Sequence, residues 1–176
     1  MKSSRALVAT LLAAGSLLIF TGTMQAATVK ALVKSVSGTV EFAPPGSTSF
    51  SPLKKDQELV IGTTIRTGDD GKAVIRTTPG TAIEVGNGSN LKINELAFSK
   101  SGSTVTEQKA HLELTSGVVS ALIDHNTPKV TDFSIQTPQG AAAARGTFYA
   151  VYVINGKTYV GVKDGKVGAA ASGGGI

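Results

Sequence analysis

β-Branched side chains dominate the chain after residue 27 and constrain its fold more than any other feature. From Ala27 onward there are 16 Val, 9 Ile and 17 Thr but only 8 Leu. Such side chains are restricted at χ1 and pack well on a pleated sheet, whereas helical cores rely on Leu and Ala. No stretch sustains helical periodicity over three turns, although Leu91–Phe98 is ambiguous. Apolar and polar residues instead alternate over 72–77, 82–85, 147–153 and 159–162, which predicts an all-β fold of short strands.

Turn-forming residues separate these runs. Asn155–Gly156 lies between two alternating runs and is the strongest hairpin signal, because Asn-Gly favours two-residue turns that match the twist of the strands. Further turns are predicted at Pro44–Gly46, Gly68–Gly71, Asn87–Gly88 and Asp164–Gly165. The polar segment Ser99–Thr106 predicts a mobile loop or linker.

The dipeptide Gly-Thr recurs at four strand entries, with spacings of 24, 18 and 66 residues. Because the spacing is not constant, the recurrence lacks the fixed period of a repeat protein. It fits an irregular β-solenoid whose short strands turn at glycines, but a β-sandwich makes the same turns at similar spacing. Both arrangements remain open at this point.

The N-terminus has the three parts of a secretory signal. Lys2 and Arg5 precede a 15-residue apolar run, Ala6–Phe20, and small residues follow up to Ala26. A membrane-spanning helix needs about 20 apolar residues, so this run is short for an anchor. The predicted divisions are a signal peptide at 1–26, a β domain at 27–168 and a flexible Gly/Ala tail at 169–176. We expect export to the periplasm or secretion, with membrane contact only through the signal peptide if it is uncleaved.

Composition excludes several classes of protein. The chain has no Cys, which excludes a disulfide scaffold, a thiolate zinc site, an iron–sulfur cluster and a cysteine nucleophile. Removal of Lys2 and Arg5 lowers the net charge from +5 to +3, and the remaining lysines are scattered. Nucleic-acid binders present clustered basic residues with interleaved aromatics. We therefore expect no nucleic-acid partner.

Residues suited to catalysis are scarce. The two histidines are His111, in an apolar run, and His125, which follows Asp124 in a turn-like stretch. Adjacent residues of a strand point to opposite faces, so Asp124 and His125 would make a poor dyad. The chain has no G-x-S-x-G elbow, and the histidine spacing fits no metal motif. We expect no catalytic residue, no cofactor, no metal site and no enzymatic activity.

Three segments together carry a family resemblance. Residues 62–83 contain G-T-T-I-R-T-G, G-K-A-V-I and P-G-T-A-I in succession; residues 137–151 read T-P-Q-G-A-A-A-A-R-G-T-F-Y-A-V; and residues 160–167 read V-G-V-K-D-G-K-V. In order and spacing these resemble the FecR domain, which is named for the regulator of ferric-dicitrate transport. The resemblance runs from about Val29 to Val167. It implies an all-β FecR-like domain, solenoid-like or sandwich-like, that lies outside the inner membrane of a bacterium.

The middle segment supplies the candidate interaction residues. Gly140 and Gly146 are expected where the backbone turns or approaches another strand too closely for a Cβ. Arg145 has two interpretations, a contact for an anion or carboxylate on a ligand, or a structural partner of an acidic residue such as Glu84 or Asp69. The full set is Thr137, Pro138, Gly140, Arg145, Gly146, Thr147 and Tyr149.

Aromatic residues are concentrated late in the chain. On a strand, Phe148 and Tyr152 would share one face, while Tyr149 would lie on the other with Val151 and Val153. Such a group of aromatic side chains either binds sugars or peptides or packs in the core and along strand edges.

The resemblance also implies a role in signalling across the cell envelope. Regulators similar to the founding member pass a signal from an outer-membrane receptor to a sigma factor through a cytoplasmic segment and a membrane span. Only five residues precede the apolar run here, so we expect the exported β domain alone to carry over. The predicted function is a non-enzymatic binding module of the cell envelope with a protein or glycan partner. The alternative is a membrane-anchored envelope regulator that relays a signal.

Overall fold

Fourteen β-strands make up the described part of the protein. The computed structural model describes residues 29–172, so the predicted signal peptide lies outside the described residues. The strands are β1 (Ala31–Ser37), β2 (Val40–Ala43), β3 (Ser51–Pro52), β4 (Glu58–Leu59), β5 (Thr64–Thr67), β6 (Lys72–Thr78), β7 (Thr81–Val85), β8 (Asn90–Ser101), β9 (Thr104–Ile123), β10 (Thr131–Thr137), β11 (Gly140–Ala144), β12 (Phe148–Ile154), β13 (Lys157–Asp164) and β14 (Val167–Ala171). The all-β prediction is confirmed, and Leu91–Phe98 belongs to a strand. Between residues 29 and 172 there is no helix with the length and apolarity of a membrane span.

The strands form one continuous sheet that curls over a hydrophobic core. One half has the order β4-β1-β6-β7-β9-β12-β13, and the other has the order β3-β2-β5-β8-β9-β10-β11-β14. We name them the β13 half and the β14 half after their end strands. Of the strand pairs in residues 29–172, only β9–β10 is parallel. A solenoid stacks parallel rungs, so the observed arrangement is closer to a sandwich.

The long strand β9 belongs to both halves because it changes phase at Gly117. Before this point its even-numbered side chains are buried, as at Leu112 and Leu114, whereas after it the odd-numbered ones are, as at Val119. Gly117 has a φ of +86°, and a Cβ there would lie 2.4 Å from the Cα of Ser89. Only glycine meets both conditions without strain. The strand therefore bends at Gly117 and carries the chain from one half of the sheet to the other.

The predicted turns lie where the strands end. Asn155 and Gly156 form the two-residue connection between β12 and β13, which pair from Ile154↔Lys157 outward. The other four predicted turns also separate strands or follow them directly. The five turns predicted from glycine, proline, asparagine and aspartate therefore lie at strand ends, as expected.

The prediction of a loop at Ser99–Thr106 is wrong. β8 continues to Ser101 and β9 begins at Thr104, with Lys100 paired to Val105 and Ser101 to Thr104. This end of the hairpin is largely exposed, so its strands carry no alternating apolar pattern. Here the strands are held by main-chain hydrogen bonds alone, and a pattern of apolar residues does not reveal such pairing.

The predicted tail begins too early. Residues 169–171 belong to β14 and pair with β11, from Ala142↔Ala169 to Gly140↔Ala171. Small side chains on both strands bury little surface, so the segment gives no apolar signal. Residues 173–176 lie outside the described residues.

Candidate interaction surface

The T-P-Q-G segment forms the turn between β10 and β11 and fastens it to β13. The Thr137 hydroxyl donates to the carbonyl oxygen of Gly140 at 3.0 Å, and it lies 2.8 Å from the Thr158 hydroxyl. The main-chain N–H of Thr158 donates to Oε1 of Gln139 at 2.7 Å. Since Thr158 belongs to β13, this turn joins the two halves of the sheet through polar bonds.

The other two residues of the turn, Pro138 and Gly140, lie beside β14. Pro138 and Gln139 line a groove together with Ala169–Ser172. A Cβ at Gly140 would lie 2.1 Å from the carbonyl oxygen of Ala170, which is the close strand approach expected from sequence.

The R-G-T segment connects β11 to β12. Thr147 is fully buried, and its hydroxyl donates to the carbonyl oxygen of Lys166 at 3.2 Å. Arg145 is exposed, and within residues 29–172 it forms no ion pair. Glu84, one of its expected partners, pairs instead with Lys72 at 3.1 Å. Arg145 is thus available to solvent, whereas Thr147 stabilises the connection.

Tyr149 lies in the core and not on the surface. Its side chain is 1% exposed, and its hydroxyl donates to the carbonyl oxygen of Ala142 at 3.4 Å. Burial raises the pKa of this phenol well above its usual range. The expected division of faces is observed, because Tyr149, Val151 and Val153 are buried whereas Tyr152 is exposed. On β12, the side chains exposed for contact with a partner are therefore those of Tyr152 and Ile154.

Exposed large apolar side chains are concentrated on one region of the β13 half. Among the described residues seven such side chains are exposed, and six of them lie on β9, β12 or β13. Leu122 is opposite Phe148, and Tyr152 is opposite Tyr159. We call the outer face of this region the apolar hairpin surface; its exposed members are Leu122, Tyr152, Ile154 and Tyr159.

A depression lies within the apolar hairpin surface. Its floor is a cross-strand row of small residues, in which Ser120 is opposite Ala150 and Ala150 is opposite Gly161. Phe148 and Tyr152 lie on either side along β12, and the cavity measures about 420 Å³. The Lys163 ammonium lies 5.3 Å from the centroid of the Phe148 ring, so one rim carries a positive charge beside an aromatic face. The shape suits a projecting apolar or acidic group.

Comparison with known proteins identifies the family of the chain. The family model described as FecR protein matches residues 63–168, which is more than half of the chain. This chain belongs to the FecR family. No curated protein and no solved structure matches it significantly.

The FecR match spans β5 to β13 and enters β14. It includes both the T-P-Q-G turn, with its hydrogen bonds to Thr158, and the R-G-T connection. β1 to β4 precede the match, yet β1 pairs with β6 and β2 with β5. The N-terminal strands of this FecR protein therefore complete the sheet that the family segment begins.

The two histidines of this FecR protein contact carboxylates, and His125 lines a cavity together with Leu122. His111 lies between two carboxylates, with Nδ1 3.0 Å from Glu95 and Nε2 3.1 Å from Asp132. His125 approaches Asp164 at 3.8 Å. Within residues 29–172 no three His, Cys, Asp or Glu side chains converge as metal ligands.

Asp124 does not orient His125. Its carboxylate accepts the main-chain N–H of Asn126 at 2.9 Å and the side-chain N–H at 2.7 Å. The main-chain bond is the first cause of a lowered pKa for Asp124. The Asp124 carboxylate therefore stabilises a local turn at Asn126 and does not contact His125 as a dyad partner.

The sequence does not indicate the exposed edge of β13. Alternation over 159–162 predicts that Val160 and Val162 belong to a strand, but nothing in the pattern indicates their exposure. Gln139 is not among the predicted interaction residues, although its side chain binds the backbone of β13. Both properties depend on which strand lies alongside, and a single sequence does not show that.

Proposed function

We propose that this FecR-family chain is an exported, non-enzymatic module of the cell envelope that binds a protein partner through the apolar hairpin surface. The observation that carries the proposal is the concentration of exposed large apolar side chains on β9, β12 and β13. Contiguous apolar regions of this kind are typical of interaction sites, whereas single exposed apolar residues are ordinary.

The chemistry of the surface favours a protein over a glycan. Its exposed members are the aliphatic side chains of Leu122 and Ile154 and the rings of Tyr152 and Tyr159. Apolar cores with tyrosine are common in protein interfaces. Lys163 provides a positive charge at the rim of the depression, where an acidic group of a partner would be recognised.

A role without catalysis agrees with the side chains present. The chain has no cysteine. His111 lies between the carboxylates of Glu95 and Asp132, and the side chain of His125 is exposed. The charged residue that lines the depression is Lys163, which suits recognition of an anionic group.

Site-specific photocrosslinking in cells tests the surface. A photoreactive phenylalanine analogue at Tyr152 should form a discrete crosslink to one envelope protein, identified by mass spectrometry. The matched control is the same analogue at Phe98, a partly exposed aromatic of β8 in the β14 half, which should not form it. The proposal fails if position 152 gives no crosslink or if both positions give the same products.

The N-terminus decides between the exported module and the membrane-anchored regulator. Intact-mass measurement of protein from the envelope fraction should show loss of about 26 residues. A full-length mass confined to the membrane pellet would favour the regulator, because the apolar run would then have been kept as an anchor.

A further inference from the structure

The end strand β13 is long, and beyond Thr158, which the T-P-Q-G turn binds, its open edge has no partner strand among the described residues. The two halves of the sheet end in β3, β4, β13 and β14, and the first two have only two residues each. β13 has eight residues, and within residues 29–172 it pairs only with β12. Proteins usually keep edge strands short or interrupt them, since unpaired edges recruit further strands.

The unpaired main-chain groups of β13 can be assigned. The N–H of Thr158 donates to Gln139 and so points away from β12. Alternate residues of an antiparallel strand point their N–H and C=O groups to the same side. Val160 and Val162 therefore direct both groups to the open edge.

The same two valines also expose their side chains. Val160 is opposite Val151 and Val162 is opposite Tyr149, both buried residues, so the two valines lie on the inner face of the β13 half. They are nevertheless 36% and 47% exposed. A groove of about 660 Å³, lined by Val160 and by alanines of β11 and β14, opens beside them. Unpaired backbone and uncovered inner-face side chains thus coincide at one edge.

We infer that β13 pairs antiparallel with β13 of a second copy of this chain, about a two-fold axis at Gly161. In that register Val160 of each copy is opposite Val162 of the other, so the residues with free main-chain groups form two hydrogen-bonded pairs. Tyr159 is opposite Lys163 on the outer face, which places a cation beside an aromatic ring. The edge is complementary to itself, as a two-fold interface requires.

Neighbouring registers are less favourable. An axis at Val160 would set Lys157 opposite Lys163, and directly opposed like charges destabilise a strand pair. An axis at Val162 would set the Asp164 carboxylate opposite Val160. The charge pattern of β13 therefore selects the axis at Gly161.

The dimer would double the apolar hairpin surface. A two-fold axis normal to the sheet keeps equivalent faces on the same side, so both copies of Tyr152 and Tyr159 would form one continuous outer surface. A dimeric or repeated partner would then bind with increased avidity. This consequence rests on the proposed function, whereas the dimer does not.

A cysteine at Gly161 tests the register directly. The chain has no cysteine of its own, and a Cβ at Gly161 meets only the Tyr152 ring, at 3.9 Å, so the fold should accept the change. The two copies of residue 161 form a non-hydrogen-bonded pair, with Cα atoms about 4.5 Å apart. This separation lies within the range that a disulfide spans. Mild oxidation of Gly161→Cys should give a covalent dimer in most of the protein.

Two cysteine controls exclude chance collisions. Tyr159→Cys alone should form no covalent dimer on oxidation, because the two copies of residue 159 are about 13 Å apart along the strand. The double variant Tyr159→Cys/Lys163→Cys should crosslink. Equal crosslinking of Tyr159→Cys and Gly161→Cys would overturn the inference, as would the absence of crosslinking in Gly161→Cys.

Sedimentation velocity gives an independent measurement. The wild-type chain should show a dimer over a roughly hundredfold range of concentration, and Val160→Lys should reduce it to monomer. The matched control Ile61→Lys alters a similarly exposed aliphatic residue, 41% exposed and outside β13, and should remain dimeric. A wild-type monomer at every concentration would overturn the inference, and so would capture of the edge by a different protein. A dimer without a crosslink from Tyr152 in cells would uphold the dimer and refute the proposed function.

Discussion

The Phe133 and Tyr149 rings meet edge to face across the core. Their centroids are 6.2 Å apart and their planes are inclined by 81°. Phe133 belongs to β10 of the β14 half and Tyr149 to β12 of the β13 half. This aromatic pair therefore holds the two halves of the sheet together beneath the apolar hairpin surface.

Truncation of Tyr149 should be severe, and loss of its hydroxyl should be mild. Tyr149→Ala removes a fully buried ring and should lower the free energy of unfolding by about 3–5 kcal/mol. Tyr149→Phe keeps the ring and loses one hydrogen bond of 3.4 Å, so it should cost about 1 kcal/mol or less. Urea denaturation measures both values.

Tyr152→Ala is the matched control for this pair, because Tyr152 lies on the same strand and is 39% exposed. It should destabilise the protein much less than Tyr149→Ala. Equal losses for the two alanine variants would contradict the assignment of Tyr149 to the core.

Gly146 should not tolerate a β-branched residue. Its φ is +63°, and a Cβ would lie 3.1 Å from Nδ1 and 3.2 Å from Cα of His125. Strain and crowding together should lower the free energy of unfolding of Gly146→Val by roughly 2–4 kcal/mol. Thermal and urea denaturation measure this change.

Gly102→Val separates the two causes. Gly102 has a φ of +59°, but a Cβ there would meet no atom within 4 Å. This variant should lose only the part that comes from backbone strain. If Gly146→Val and Gly102→Val lose the same free energy of unfolding, crowding against His125 does not contribute to the destabilisation of Gly146→Val.

Local patterns predicted much of this fold. Alternation and Asn155–Gly156 located β12 and β13, and the same alternation put Phe148 and Tyr152 on one face. The loop assigned to Ser99–Thr106 and the tail assigned from Ala169 were wrong for a common reason. In both segments strand formation depends on a neighbouring strand, and the side chains bury little apolar surface.

The candidate site was less predictable than the fold. Thr137 and Gly140 were identified through a family motif, and the structure places them at the turn that binds Thr158. The exposure of Val160 and Val162 results from the position of β13 at the end of the β13 half. Strand order is set by long-range pairing, so a run such as Y-V-G-V reads the same in a central strand and at an edge.

Asp70 should contribute stability that depends on pH. Its carboxylate accepts the main-chain N–H of Thr39 at 3.1 Å, and this bond lowers the pKa of Asp70 below its usual value of 3.8. A lowered pKa in the folded state stabilises the protein above the unfolded-state pKa, and the contribution is lost as pH falls through the folded-state pKa. Wild type should therefore exceed Asp70→Asn in stability near neutral pH, and the difference should shrink below about pH 4. Urea denaturation across this range measures the difference; a value that stays constant down to about pH 2 would contradict the prediction.

Thr137 and Thr158 should be energetically coupled across the two halves. Their hydroxyl oxygens are 2.8 Å apart, and Thr137 also donates to Gly140. A double-mutant cycle of Thr137→Val and Thr158→Val should give a coupling free energy of about 1 kcal/mol in urea denaturation. The comparison cycle pairs Thr158→Val with Thr115→Val, whose hydroxyl bonds to Asn90 instead, and should be additive. A Thr137–Thr158 cycle that is equally additive would show that this hydroxyl pair does not fasten β13, and that Gln139 alone holds the strand to the T-P-Q-G turn.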